Sequence, residues 1–129
     1  MENGDPEDEV LSFIFENIDT VPHLEALLLI WQGGTGSWSA ERLAARIYVS
    51  AHQAKAILED LCRRGFVSQD TPEGGSYRFA SEWDAQRQLM PRLAKTYSRN
   101  LIGVTRMIHS KGSASVREFA RAFQIKKDQ

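Results

Sequence analysis

The chain has 129 residues, of which 42% are hydrophobic; that is enough for one compact domain with flanking segments, and no apolar run reaches the roughly 20 residues of a membrane helix. A single cysteine, Cys62, rules out an internal disulfide and a multi-cysteine zinc site, and Met1–Glu9 is acidic where a secretory signal would be basic, so a cytoplasmic protein is expected. The net charge of −1 conceals a gradient: residues 1–25 carry eight acids and no Lys or Arg, 26–80 carry six bases and five acids, and 81–129 carry ten bases and four acids.

Leu11, Ile14, Phe15 and Ile18 recur at i, i+3, i+4 and i+7, which predicts a helix over 7–18 packing through those four side chains. Thr20 suits an N-cap and Pro22 the first turn of a second helix, Pro22–Gln32, whose residues are apolar almost all round, the pattern of a central helix. Gly33, Gly34 and Gly36 end it; with no Lys-Ser/Thr pair behind them they make no phosphate loop. Ser37–Ser39 is expected as a short extended rung. Ser39 then caps a helix Ala40–Ile47, with Ala40, Leu43, Ala44 and Ile47 inward and Glu41, Arg42, Ala45 and Arg46 outward.

After a turn at Tyr48-Val49, Ser50 caps a helix from Ala51 to about Arg64 that stops at Gly65. Its residues Ala54, Ile57, Leu58 and Leu61 share one side, and His52, Lys55, Ala56, Glu59 and Arg63 the other. Phe66–Gln69 and Ser76–Phe79, around a turn at 70–75, read as a hairpin. Ser81 with Asp84 marks a short helix to about Leu89. Pro91 interrupts it or opens a helix from Arg92 to about Ser110, striped by Leu93, Tyr97, Leu101, Val104 and Ile108. Ser115 and Glu118 have capping-box spacing for a last helix presenting Val116, Phe119, Ala120 and Phe123.

The run Leu43-Ala44-Ala45-Arg46-Ile47-Tyr48-Val49-Ser50, followed by Ala54, Leu58, Leu61 and Gly65-Phe66-Val67, resembles the winged helix-turn-helix of MarR-like bacterial transcription regulators. Tyr48 stands where such regulators often place a turn glycine. The tail, with Leu93-Ala94, Tyr97, Ile108 and Phe119-Ala120-Arg121-Ala122-Phe123, resembles a poorly characterised family of small bacterial winged-helix proteins. The expected fold is mainly α with a small β-hairpin: a winged helix-turn-helix over 22–80, an acidic N-terminal helical segment over 1–21 and a basic C-terminal helical extension over 81–129.

That resemblance implies duplex DNA as partner, with the helix from Ala51 as recognition helix in the major groove. It marks His52, Gln53, Lys55 and Arg63, with Arg78 on the wing, as candidate DNA contacts. Gln53 suits adenine, and Lys55 suits guanine or a phosphate. Glu59 and Asp60 on or beside that face, and Glu73 at the wing tip, oppose phosphate binding, so a winged helix used for protein contact without DNA stands as the alternative. Leu93, Tyr97, Leu101, Val104 and Ile108 are read as a homodimerisation stripe, which would double weak DNA contacts. The basic tail is either solvated, in contact with phosphates, or docked on the acidic head. His23, His52 and His109 lie in separate helices without metal-ligand spacing, and no nucleophile–base set can be assembled, so no enzyme, cofactor or metal is expected. Cys62 is read as a partly buried structural thiol, with redox sensing as the alternative.

Overall fold

The structure is a computed structural model and describes residues 6–34, 36–70, 75–80, 82 and 88–111. Its elements are α1 (Pro6–Asn17), α2 (Val21–Gln32), α3 (Ala40–Ile47), α4 (Ala51–Arg63), β1 (Val67–Gln69), β2 (Tyr77–Phe79), α5 (Leu89–Arg99) and α6 (Leu101–Lys111). The chain is therefore mainly helical with one small antiparallel hairpin. The expected wing tip with Glu73, the expected helix start at Ser81 and Asp84, and the last helix expected from Ser115 lie outside the described residues.

Three hydroxyls set where helices begin. Thr20, Ser39 and Ser50 each accept a hydrogen bond from the backbone N–H three residues on, at His23 (3.2 Å), Arg42 (3.1 Å) and Gln53 (3.0 Å). Such caps satisfy an otherwise orphaned donor and contribute about 1 kcal/mol each. At the other end, α4 stops at Arg63, one residue before the expected last helical position, with Arg64 as the C-cap, and Gly65 takes φ 87°. That left-handed turn, open to glycine, sends the chain from the helix into β1.

β1 and β2 pair antiparallel in the register Val67↔Phe79, Ser68↔Arg78 and Gln69↔Tyr77. The expected rung before α3 joins them: Trp38 bridges Tyr77, with Trp38 N–H donating to the Tyr77 carbonyl at 2.7 Å and Tyr77 N–H donating back at 2.8 Å. Trp38, Val67 and Tyr77 all point into the core, so this small sheet is held by its apolar face as well as by its ladder.

α2 is the central helix its composition predicts. Leu24, Ala26, Leu27, Leu28 and Ile30 are buried, and α3, α4, α5, α6 and β2 all pack on it. A single buried cluster runs from Val10 through α2, α3, α4 and the hairpin to Ile108.

Three expectations are corrected. In α1 the buried face is Val10, Phe13, Ile14 and Ile18, and Phe15 is 56% exposed. The helix is rotated because it is gripped from two sides. It packs on α5 and α6, while Phe13 stacks at a tilt on Phe66 behind α4, with ring centroids 5.2 Å apart. The single helix expected over 92–110 is two helices. Asn100 leaves helical geometry (φ −134°, ψ 53°) and its Oδ1 accepts the Gly103 N–H at 3.2 Å, so it ends α5 and caps α6. A Cβ on Gly103 would lie 2.6 Å from the Asn100 amide, so the glycine makes room for the cap. Finally, Leu93, Val104 and Ile108 of the expected dimerisation stripe are buried inside this chain, Tyr97 is half-buried, and Leu101 alone of the five is exposed. The break at Asn100 turns α6 back onto α1 and α2, where the apolar residues are consumed.

The charge gradient closes on itself in part. Arg92 of α5 donates to Glu9 of α1 at 2.8 Å, across 83 residues of sequence. Among the described residues, no helix is long and apolar enough to cross a membrane.

Candidate nucleic-acid interface

α3 and α4 form a close helix pair joined by Tyr48-Val49-Ser50. Tyr48 closes α3 in the left-handed region (φ 61°, ψ 47°), with its N–H on the Ala44 carbonyl. A side chain there costs about 1 kcal/mol that a glycine would not. The ring gains no burial in return, being 92% exposed. α4 then starts at the Ser50 cap. Its buried side is Ala54, Ile57, Leu58 and Leu61, as expected, and it also includes Asp60.

The first turn and a half of α4 presents Ala51, His52, Gln53, Lys55 and Ala56 to solvent. Among the described residues, the side chains of His52, Gln53 and Lys55 have no hydrogen bond or ion pair, and the first acid on this face, Glu59, lies one helical turn beyond Lys55. On α3, Arg42 and Arg46 stand beside Trp38. The Arg42 guanidinium lies 3.9 Å from the indole centroid and donates to the Ser37 carbonyl at 2.8 Å, while Arg46 lies 5.9 Å from the same ring. Stacking holds the two guanidiniums in place while leaving their charge unneutralised. Trp38, Arg42 and Arg46, spaced by four, already carry this arrangement as a sequence pattern, yet the two arginines were not among the expected contacts.

Asp60 does not face outward with Glu59. It is 8% exposed and gathers three partners: Arg63, Arg64 Nε at 3.2 Å and His23 Nε2 at 3.2 Å. Arg64 reaches on to Asp19 at 3.4 Å. The expected repulsion between Asp60 and a phosphate is therefore removed, because its charge is spent inside the fold.

His23 is positioned by Thr20, whose hydroxyl accepts the His23 backbone N–H and lies 2.7 Å from Nδ1. Burial lowers the His23 pKa from 6.5, against the opposing pull of Asp60 and Asp19. A neutral ring with its proton on Nε2 donates to Asp60 and accepts from Thr20, satisfying both contacts. Asp19, His23 and Asp60 also bring three potential metal-ligand atoms within 4.8 Å of one another, a cluster that histidine spacing alone does not reveal. The Arg64 guanidinium pairs with both carboxylates of this cluster.

Of the five residues expected at DNA, His52, Gln53 and Lys55 come together on the open end of α4. Arg63 is tied to Asp60 within its own helix, and Arg78 is paired with Asp70 at 2.6 Å across the base of the hairpin. Neither offers an unpaired charge. Cys62 is half-buried, and desolvation, helped by Glu59, raises its pKa, which keeps the thiol protonated and slow to react. No protein-family model, curated protein or solved structure matches the chain.

Proposed function

We propose that the chain is a winged helix-turn-helix DNA-binding protein of bacterial type that regulates transcription, with α4 as its recognition helix. The order α2, Trp38 rung, α3, α4, β1, β2 is what that fold requires. The observation that carries the reading is the cluster of His52, Gln53 and Lys55 at the N-terminal end of α4, exposed and unpartnered among the described residues and with no acid in Ala51–Ala56, behind a helix that exposes Arg42 and Arg46 along with Glu41. A recognition helix reads base edges through its N-terminal residues while the preceding helix lies against the backbone. Gln53 and Lys55 supply the base contacts and Arg42 and Arg46 the phosphate contacts.

The protein acts as a homodimer in this reading. Leu101 and Ile102, 51% and 67% exposed and adjacent at the start of α6, form an apolar patch among the described residues that a second chain would cover. A second reading, a winged helix that docks on a protein without DNA, is favoured by the bare Tyr48 ring and by the pairing of Arg63 and Arg78.

Fluorescence anisotropy with generic duplex DNA separates the two. Binding should weaken with salt at a log–log slope of about −2 per protomer, from roughly 0.9 for each phosphate met by Arg42 and Arg46. Lys55→Glu should abolish it. A folded protein that binds no duplex even at low salt contradicts the proposal and leaves the protein-docking reading.

A further inference from the structure

A cavity of about 410 Å³ opens between α2, the end of α3 and α5, within the size range of sites that enclose small molecules. Its floor is apolar, with Leu28 and Ile47 buried and Leu29 and Ala94 half-buried. Glu25 and Tyr97 stand on the wall, where the Tyr97 hydroxyl donates to Glu25 Oε2 at 3.1 Å. Tyr97 is the carboxylate's only hydrogen-bond partner among the described residues, so Oε1 accepts from none of them. Burial and the Glu25 charge push the Tyr97 hydroxyl up to about 12, and the phenol remains a donor across the neutral range. Tyr48 supplies a second aromatic ring to the rim.

We propose that this cavity binds a small organic amine with an apolar body, its ammonium on Glu25 beside the Tyr97 ring and its body over Leu28, Leu29 and Ile47. A half-buried carboxylate with a vacant oxygen gains most from a charged donor, and a cation gains again from an aromatic face. An alcohol recovers only the neutral hydrogen bond. Arg46 is the competing charge on the rim, but it is solvent-exposed and faces the Trp38 ring, so an anion there stays hydrated and gains less. The bound molecule would touch Ile47 and Tyr48, the residues that lead from α3 toward α4. Binding at this site does not depend on whether α4 reads DNA.

The test is an amide-resolved NMR titration of the full chain with 2-phenylethylamine, 2-phenylethanol and phenylacetate. The amine should shift amides of residues 25–29, 46–49 and 94–98 saturably and bind at least about tenfold more tightly than the alcohol, the factor that one charge-assisted contact of modest strength supplies. Glu25→Gln, which keeps an acceptor for Tyr97, should bring amine and alcohol to parity. Ser98→Trp, at an exposed position on the rim, should remove amine binding with the thermal midpoint unchanged, and this variant decides the matter if Glu25→Gln fails to fold. Equal affinity for amine and alcohol, preference for phenylacetate, no saturable binding by any of the three, or full retention of amine binding in either folded variant overturns the proposal.

Discussion

Asp60 illustrates how much a single side chain's direction matters. Counted on a helical wheel it borders the outward face of α4, yet it lies under the fold with Arg64 and His23 against it. Replacing it with Asn leaves the half-buried Arg64 guanidinium with only the more exposed Asp19 carboxylate. Asp60→Asn should therefore destabilise the protein by about 2 kcal/mol in urea titrations, with little of that from Arg63, whose side chain is 72% exposed.

His23 adds a pH dependence of definite sign. Its native pKa lies below 6.5, so between the two values the unfolded chain binds more protons than the native one. Its contribution to stability is fully present above pH 6.5 and is lost as pH falls from there toward the native value. Urea midpoints should drop on acidification through that window, and His23→Gln should flatten the drop. Tyr48→Gly makes the opposite kind of change. Relief of the left-handed conformation at a 92% exposed position should raise stability by about 1 kcal/mol, measured by thermal unfolding.

At the scale of elements, what could be read from sequence was what depends on local chemistry. The caps at Thr20, Ser39 and Ser50, the bounds of α3, the buried side of α4 and the two strands all follow from hydroxyl placement, periodicity and turn residues. The misreadings lie where neighbours decide. Leu11, Ile14, Phe15 and Ile18 make a valid helical stripe, but α1 is clasped by Phe66 on one side and α5 and α6 on another, so the buried stripe passes through Val10 and Phe13. Leu93 to Ile108 keeps helical periodicity straight through Asn100, so periodicity could not show the break. The clue was chemical: an Asn followed three residues later by a Gly. Asn100→Ala should cost about 1 kcal/mol, the usual value of a lost N-cap, by urea titration.

The candidate site was legible in the same uneven way. His52, Gln53 and Lys55 follow from helical geometry after Ser50. The pairing of Arg63 with Asp60 and of Arg78 with Asp70 did not, since it depends on which way each long side chain folds. Arg42 and Arg46 were visible as an outward pair but gain their meaning only from Trp38, which the sheet holds in place beneath them.

For the molecule as a whole, the N-terminal and C-terminal helices are structural partners. They share one core with the central helices and are pinned by Glu9–Arg92. Leu93→Ala should accordingly cost about 2–5 kcal/mol, as for a fully buried leucine, with a loss that does not vary with protein concentration. Arg92 need not serve DNA, since it already answers an acid of α1. With Asp60 turned inward, the face formed by α3 and the start of α4 is more favourable to a polyanion than its residue count indicates.

An NMR titration of the isotope-labelled full chain with a short generic duplex tests the central claim most directly, because it reports where contact falls as well as whether it occurs. The prediction is that amides of Ala51–Lys55, together with Arg42 and Arg46, shift first and most, and that the shifts recede as salt is raised. Shifts confined to α5 and α6, or none at low salt, would contradict it.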